Sequence, residues 1–214
     1  MGFLSNLFDG NKEDKALREA LGMIHRIIDD EKYQLELLNP AMKEIIESAP
    51  AFNKDPNGTG PFGFIETNPI PVNGPIGQLA YLSKLETQSG QRILFHRLGA
   101  MGTVDVFEAV SFNGREWFIL FADLYHSRRS RLTPDGFRFT KDVGQFSGFT
   151  NFCEDFPYDF IEKKGSMRDS GLSMAYIAIS KVSDQIQNRV FTRPLAHKAK
   201  LELMKSRLSS FQAQ

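Results

Sequence analysis

The pair Asn113-Gly114 lies between two apolar runs inside the stretch Arg92–Tyr125, RILFHRLGAMGTVDVFEAVSFNGREWFILFADLY, and nothing else in the chain restricts the fold so strongly. Asn-Gly between alternating hydrophobics is the strongest short-range hairpin signal, because a type I′ turn needs positive φ at both central residues. A two-residue loop there sets the register. Phe112 then faces Arg115, Val110 faces Trp117, Glu108 faces Ile119 and Val106 faces Phe121, while Ala109, Phe107 and Asp105 meet Phe118, Leu120 and Ala122 on the other side. Both faces are mostly apolar, so the sheet needs cover on both.

Around this hairpin the chain reads as a meander. Leu79, Tyr81, Ser83 and Leu85 alternate toward Thr87; Ile93–Leu98 and Val104–Phe112 precede the Asn-Gly turn, and Gly136–Thr140 adds a last strand. The fold class expected is α+β: an antiparallel β-meander of about four or five strands packed against N-terminal and C-terminal helices. One domain over 1–214 is expected, with a helical part at 1–50, a Pro/Gly-rich ordered loop at 51–77, the sheet at 78–140, and an aromatic loop with helices at 141–214.

The flanks supply the covers. Leu17, Leu21, Ile24, Ile28, Leu35 and Leu38 keep a period near 3.6, which predicts a helix over 13–38. Asn39-Pro40 ends it and opens a second, with Asn39 as N-cap and Pro40 in the first helical position. The loop that follows holds five prolines and five glycines yet is rich in Phe and Ile, so it reads as packed over a sheet edge, with a short strand at 63–67. Beyond the sheet, the aromatic segment 141–165 and a helix over 171–190 lead to a last helix near Pro194. That helix is basic, and its narrow stripe Leu201, Met204, Leu208 and Phe211 suits docking on the domain or on a second copy, so a homodimer through it is one expectation.

Composition excludes more than it assigns. Twenty-six basic and 26 acidic side chains balance to +0, without the basic excess of a duplex nucleic-acid binder. The longest apolar run, Trp117–Ala122, falls far short of the ~18 residues of a spanning helix. One cysteine, Cys153, and no secretory pattern at the start point to a cytoplasmic setting. Gly58-Thr59-Gly60-Pro61-Phe62-Gly63 has dinucleotide-fingerprint spacing, but a helix precedes it and prolines interrupt it, so no cofactor is expected. The acids after Cys153 disfavour a thiolate nucleophile.

Two constellations remain. His126, Arg128, Arg129 and Arg131 follow the hairpin closely, with Arg138 nearby, and arginine forks bind phosphate or carboxylate bidentately. The alternative is a solubilising loop that pairs with the acidic N-terminal helices. Second, pairing of Leu98 with Val104 sets His96 opposite Val106 and diagonal to Glu108, with Asp123 on the same face. One imidazole and two carboxylates can ligate a metal or act as acid and base; the structural alternative is a satisfied sheet histidine with Glu108 paired to Arg97 or another base. The preferred function is a non-catalytic interaction or regulatory module, with protein-protein interaction or anion binding through the arginines. The other reading is a metal-dependent or acid/base hydrolase using His96, Glu108 and Asp123.

Overall fold

The structure is a computed structural model and describes residues 15, 18, 19, 22–141, 153–158 and 188–212. Its centre is a four-stranded sheet in the order β1 (Ile70–Pro71), β5 (Trp117–Asp123), β4 (Val104–Ser111), β3 (Ile93–Met101). β3–β4 and β4–β5 run antiparallel, whereas β1 lies parallel to β5 through Ile70↔Ala122 and Pro71↔Asp123. The protein is therefore α+β with a mixed sheet rather than a pure antiparallel meander. β2 (Leu85–Thr87) and β6 (Phe137–Phe139) form a separate antiparallel pair, so 136–140 does not extend the main sheet.

The β4–β5 register is the one expected from a loop centred on 113–114, with Val110↔Trp117, Glu108↔Ile119 and Val106↔Phe121, but the ladder stops short of the expected pair Phe112 and Arg115. Its turn is different. Ser111 N–H donates to Glu116 O at 2.9 Å and Gly114 N–H to Ser111 O at 2.8 Å, closing a four-residue loop. Only Gly114 takes positive φ, 76°, because Asn113 spends its side-chain oxygen on Ser111 Oγ and Arg115 N–H instead. Gly114 also admits no side chain, since a Cβ would come within 2.5 Å of Val190 O.

Both faces are covered. On one, Phe95, Phe107, Ala109, Leu120 and Ala122 pack with Ile70, Val72, Tyr81 and Leu82. The last two belong to α3 (Gly74–Ser83), where the alternation had indicated a strand. Pro75 lies in the first turn of this helix, and seven of its ten residues are buried, so its apolar positions show no single stripe to read. On the other face Met101, Val106, Ile119 and Phe121 meet Leu201, Met204 and Leu208 of α4 (Leu195–Gln212), the basic C-terminal helix expected from Pro194 onward.

The N-terminal helices form an outer layer on α3 instead of lying on the sheet. Helix 13–38 is interrupted: a helical stretch over 22–29 stops at Asp30, whose Oδ1 accepts from Lys32 and Tyr33 N–H and starts α1 (Glu31–Glu36). α2 (Pro40–Ser48) follows, capped by Asn39. Buried Gln34 joins the layers, accepting from Asn73 Nδ2 at 2.8 Å and donating to Ile27 O at 2.7 Å. The 51–69 loop is held by turns, with no strand at 63–67; Gly63 O accepts from Phe121 N–H at the sheet edge. The expected helix 171–190 lies almost entirely outside the described residues. No helix among the described residues is long and apolar enough to cross a membrane.

Candidate functional site

Glu108 stands in mid-strand on the α4 face of the sheet and is fully buried. An ionised carboxylate there must be paired, and four N–H···O contacts do this. Oε1 accepts from Arg193 Nε at 2.7 Å and His197 Nε2 at 3.0 Å. Oε2 accepts from His96 Nε2 at 2.9 Å and Arg193 Nη2 at 3.1 Å. Burial raises the pKa of Glu108, but the hydrogen bonds from His197, His96 and Arg193 outweigh it and hold the carboxyl far below the usual carboxylate range.

The partners are themselves fixed. His96 Nδ1 accepts from Cys153 N–H at 3.1 Å, which puts the proton on Nε2, and its ring stacks on Phe156 at 4.1 Å. Arg193 donates to Phe156 O and lies 5.0 Å over the Trp117 ring. His197 sits 5.4 Å from the same indole. All four acceptor positions of Glu108 and both nitrogens of His96 are engaged, so this cluster ties α4 to the sheet and leaves no lone pair to take a proton from a substrate.

His96 reaches Glu108 by a route other than the Leu98–Val104 pairing. The turn is at Gly102-Thr103, Met101 pairs with Val104, and a bulge between Arg97 and Gly99 shifts the ladder so that His96 lies directly opposite Glu108. Arg97 pairs with Asp105 at 2.7 Å, and the base on Glu108 is Arg193. Asp123 shares the face but lies at the far end of β5, where its Oδ2 meets His126 Nε2 at 3.2 Å. Burial raises its pKa, and bonds led by that from His126 bring it below the ordinary value. Among the described residues no group of three or more His, Cys, Asp or Glu side chains is placed to hold a metal ion.

Arg193 and His197 carry no motif and lie 85 and 89 positions from Glu108. A signal for His197 did exist. Positions 197, 201, 204 and 208 form one buried helical stripe, so the apolar stripe of α4 continues one turn upstream through a histidine.

The arginine cluster divides in two. Arg128 donates to Asn53 Oδ1 at 2.7 Å and to Ala51 O, holding the 51–53 loop. His126 is engaged with Asp123 and Pro50 O, and Arg138 with Glu86. Arg129 and Arg131 converge elsewhere. Arg129 is buried, donates to Ile28 O at 2.6 Å, and has its Nε 3.2 Å from Glu31 Oε1. Arg131 Nη1 lies 2.6 Å from that same oxygen. Both arginines line a cleft of about 210 Å³ with Tyr81, Lys84, Ser130, Phe139 and Thr140, and Lys84 is paired with Asp29. Burial pulls the Arg129 pKa down, while Glu31 pulls it up. Burial also raises the Tyr81 phenol. Arg131 lines in addition a wider, open depression of about 690 Å³ together with His25, Arg26, Asp29, Asp30, Glu31 and Lys32.

Comparison with known proteins returned no matching family model, no matching curated protein and no matching solved structure.

Proposed function

We propose that this protein is a non-catalytic binding module that takes a compact oxyanion, a phosphate or carboxylate group, in the cleft lined by Lys84, Arg129 and Arg131. The reading is supported by one observation: three cationic side chains from α3's C-cap and the 129–131 segment line a single cleft of about 210 Å³, while the carboxylates that pair with them, Asp29 and Glu31, line the open depression that shares Arg131 with it. Guanidinium forks suit the planar or tetrahedral oxygens of such a group, and a cleft this small suits a headgroup or side chain better than a macromolecular surface. The Glu108 cluster plays no part in binding; its role is to fix α4.

Isothermal titration of the full chain with inorganic pyrophosphate at low ionic strength tests this. One site per chain is expected, weakened about tenfold or more by Arg131→Ala. A wild-type titration without heat, repeated with succinate as a carboxylate probe and equally silent, overturns the reading.

A further inference from the structure

We infer that Glu31 is an internal competitor for the proposed oxyanion site, so that ligand entry displaces it and loosens the docking of α1; this rests on the binding reading above. A single carboxylate oxygen, Glu31 Oε1, lies 3.2 Å from Arg129 Nε and 2.6 Å from Arg131 Nη1. That is the position an external oxyanion takes between two guanidinium groups. Glu31 holds that position from the side of the open depression, which it lines together with Arg131.

The two arms of this bridge differ. Arg129 is 6% exposed and keeps a second partner in Ile28 O, so it stays in place when Glu31 leaves. The Arg131 side chain is 57% exposed, and ion pairs so open to water are weak. An incoming oxyanion exchanges one carboxylate for another anion on a guanidinium pair that is already organised. It arrives past Arg131, which lines both the cleft and the open depression.

Displacement has somewhere to act. Glu31 is the first residue of α1, directly after Asp30, where the preceding helical stretch breaks. Around the bridge, Asp29 holds Lys84 and Asp30 caps α1 through Lys32 and Tyr33 N–H, so Glu31 is the acidic group of this turn that holds the two arginines. Freed of its arginines, α1 retains that cap and the Gln34 link to Asn73 but loses its ionic tether to the 129–131 segment. Anion binding is thereby coupled to the freedom of the N-terminal helices, which gives a binding module an output.

The test has two readouts. In titrations with inorganic pyrophosphate, Glu31→Gln should bind about five- to tenfold tighter than the wild type, a typical size for coupling between sites, and Glu31→Gln with Arg131→Ala should lose the gain. In hydrogen exchange of the wild type, saturating pyrophosphate should speed exchange of the 31–36 amides severalfold, a readout that does not depend on the variant folding. Equal affinities of wild type and Glu31→Gln, or slowed exchange in 31–36, overturn the competitor role and leave the binding reading standing. Absence of binding in both proteins overturns the two together.

Discussion

His96 and Glu108 face each other across the β3–β4 ladder at 2.9 Å because one residue, Leu98, is inserted into β3. From the turn, Met101 pairs with Val104, and an unbroken ladder would set Arg97 across from Glu108 and turn His96 to the opposite face. The bulge restores the parity. The placement of this histidine is therefore a backbone event.

Removing the carboxylate should be costly. Glu108→Ala takes the carboxylate from two buried imidazoles and leaves Arg193 with Phe156 O alone, and breaking a buried pair from one side costs about 3–5 kcal/mol. Glu108→Gln keeps two of the acceptor positions and should cost less. Urea unfolding followed by Trp117 fluorescence measures both. A loss below about 1 kcal/mol for Glu108→Ala would show that the cluster does not hold α4.

The same group sets an acid limit. The ordinary carboxyl values are 4.5 for Glu108 and 3.8 for Asp123, and both are lower in the folded protein. The unfolded chain thus binds protons in a range where the native protein does not, so stability rises with pH there. This stabilisation is complete above the unfolded values and is lost as pH falls through the folded ones. The urea midpoint should change little from these two groups above about pH 5.5 and fall steeply below about pH 4.5. Glu108→Gln should flatten that fall. An equal slope in the variant would assign the acid sensitivity to other carboxylates.

Legibility in the sequence followed the range of the interactions. The β4–β5 register was legible from the position of Asn113-Gly114, since centring the loop there pairs Val110 with Trp117 and every pair that follows. The turn type escaped because Asn113 satisfies Ser111 and Arg115 with its side chain, a detail that composition does not encode. α3 imitates a strand because burial on nearly all sides removes the helical stripe. β1 is two residues long and contains a proline, so it carries almost no strand signal. For Glu108, the expectation of a satisfied sheet histidine and a paired base matches the geometry, but the base comes from Arg193, and nothing local links the two positions. For the arginine cluster, pairing with the acidic N-terminal helices is realised at Glu31, and the chain order of Arg128, Arg129 and Arg131 gave no sign that the first would turn away toward Asn53.

Two glycines offer a control on the turns. Gly102 and Gly114 have φ of 62° and 76°, so alanine at either incurs left-handed strain of roughly 1 kcal/mol. A Cβ at 102 meets nothing within 4 Å, whereas one at 114 comes within 2.5 Å of Val190 O, a backbone atom. Gly114→Ala should therefore destabilise the protein clearly more than Gly102→Ala, by about 1 kcal/mol or more beyond the shared strain. Melting temperatures compared side by side decide it, and equal losses would mean that the 188–191 segment moves aside freely.

Arg129 and Arg131 touch the same oxygen of Glu31 and should behave differently when truncated. Arg129→Ala removes a buried guanidinium, leaves Ile28 O with only the 3.4 Å contact from Gln34 Nε2 in place of its 2.6 Å donor, and takes one cation from the Glu31 carboxylate. Unmade buried hydrogen bonds of this kind cost about 1–3 kcal/mol each, more where a charge is involved, so a loss of roughly 2–4 kcal/mol is expected. Arg131→Ala removes a largely exposed partner, and exposed ion pairs contribute about 0–1 kcal/mol. Chemical denaturation of the two variants should separate them by at least about 1 kcal/mol. That separation would make Arg131 the position at which the proposed binding is tested without disturbing the fold. If Arg131→Ala proved as destabilising as Arg129→Ala, both arginines would be staples of the N-terminal layer, and the cleft between them would lose its claim to be a site.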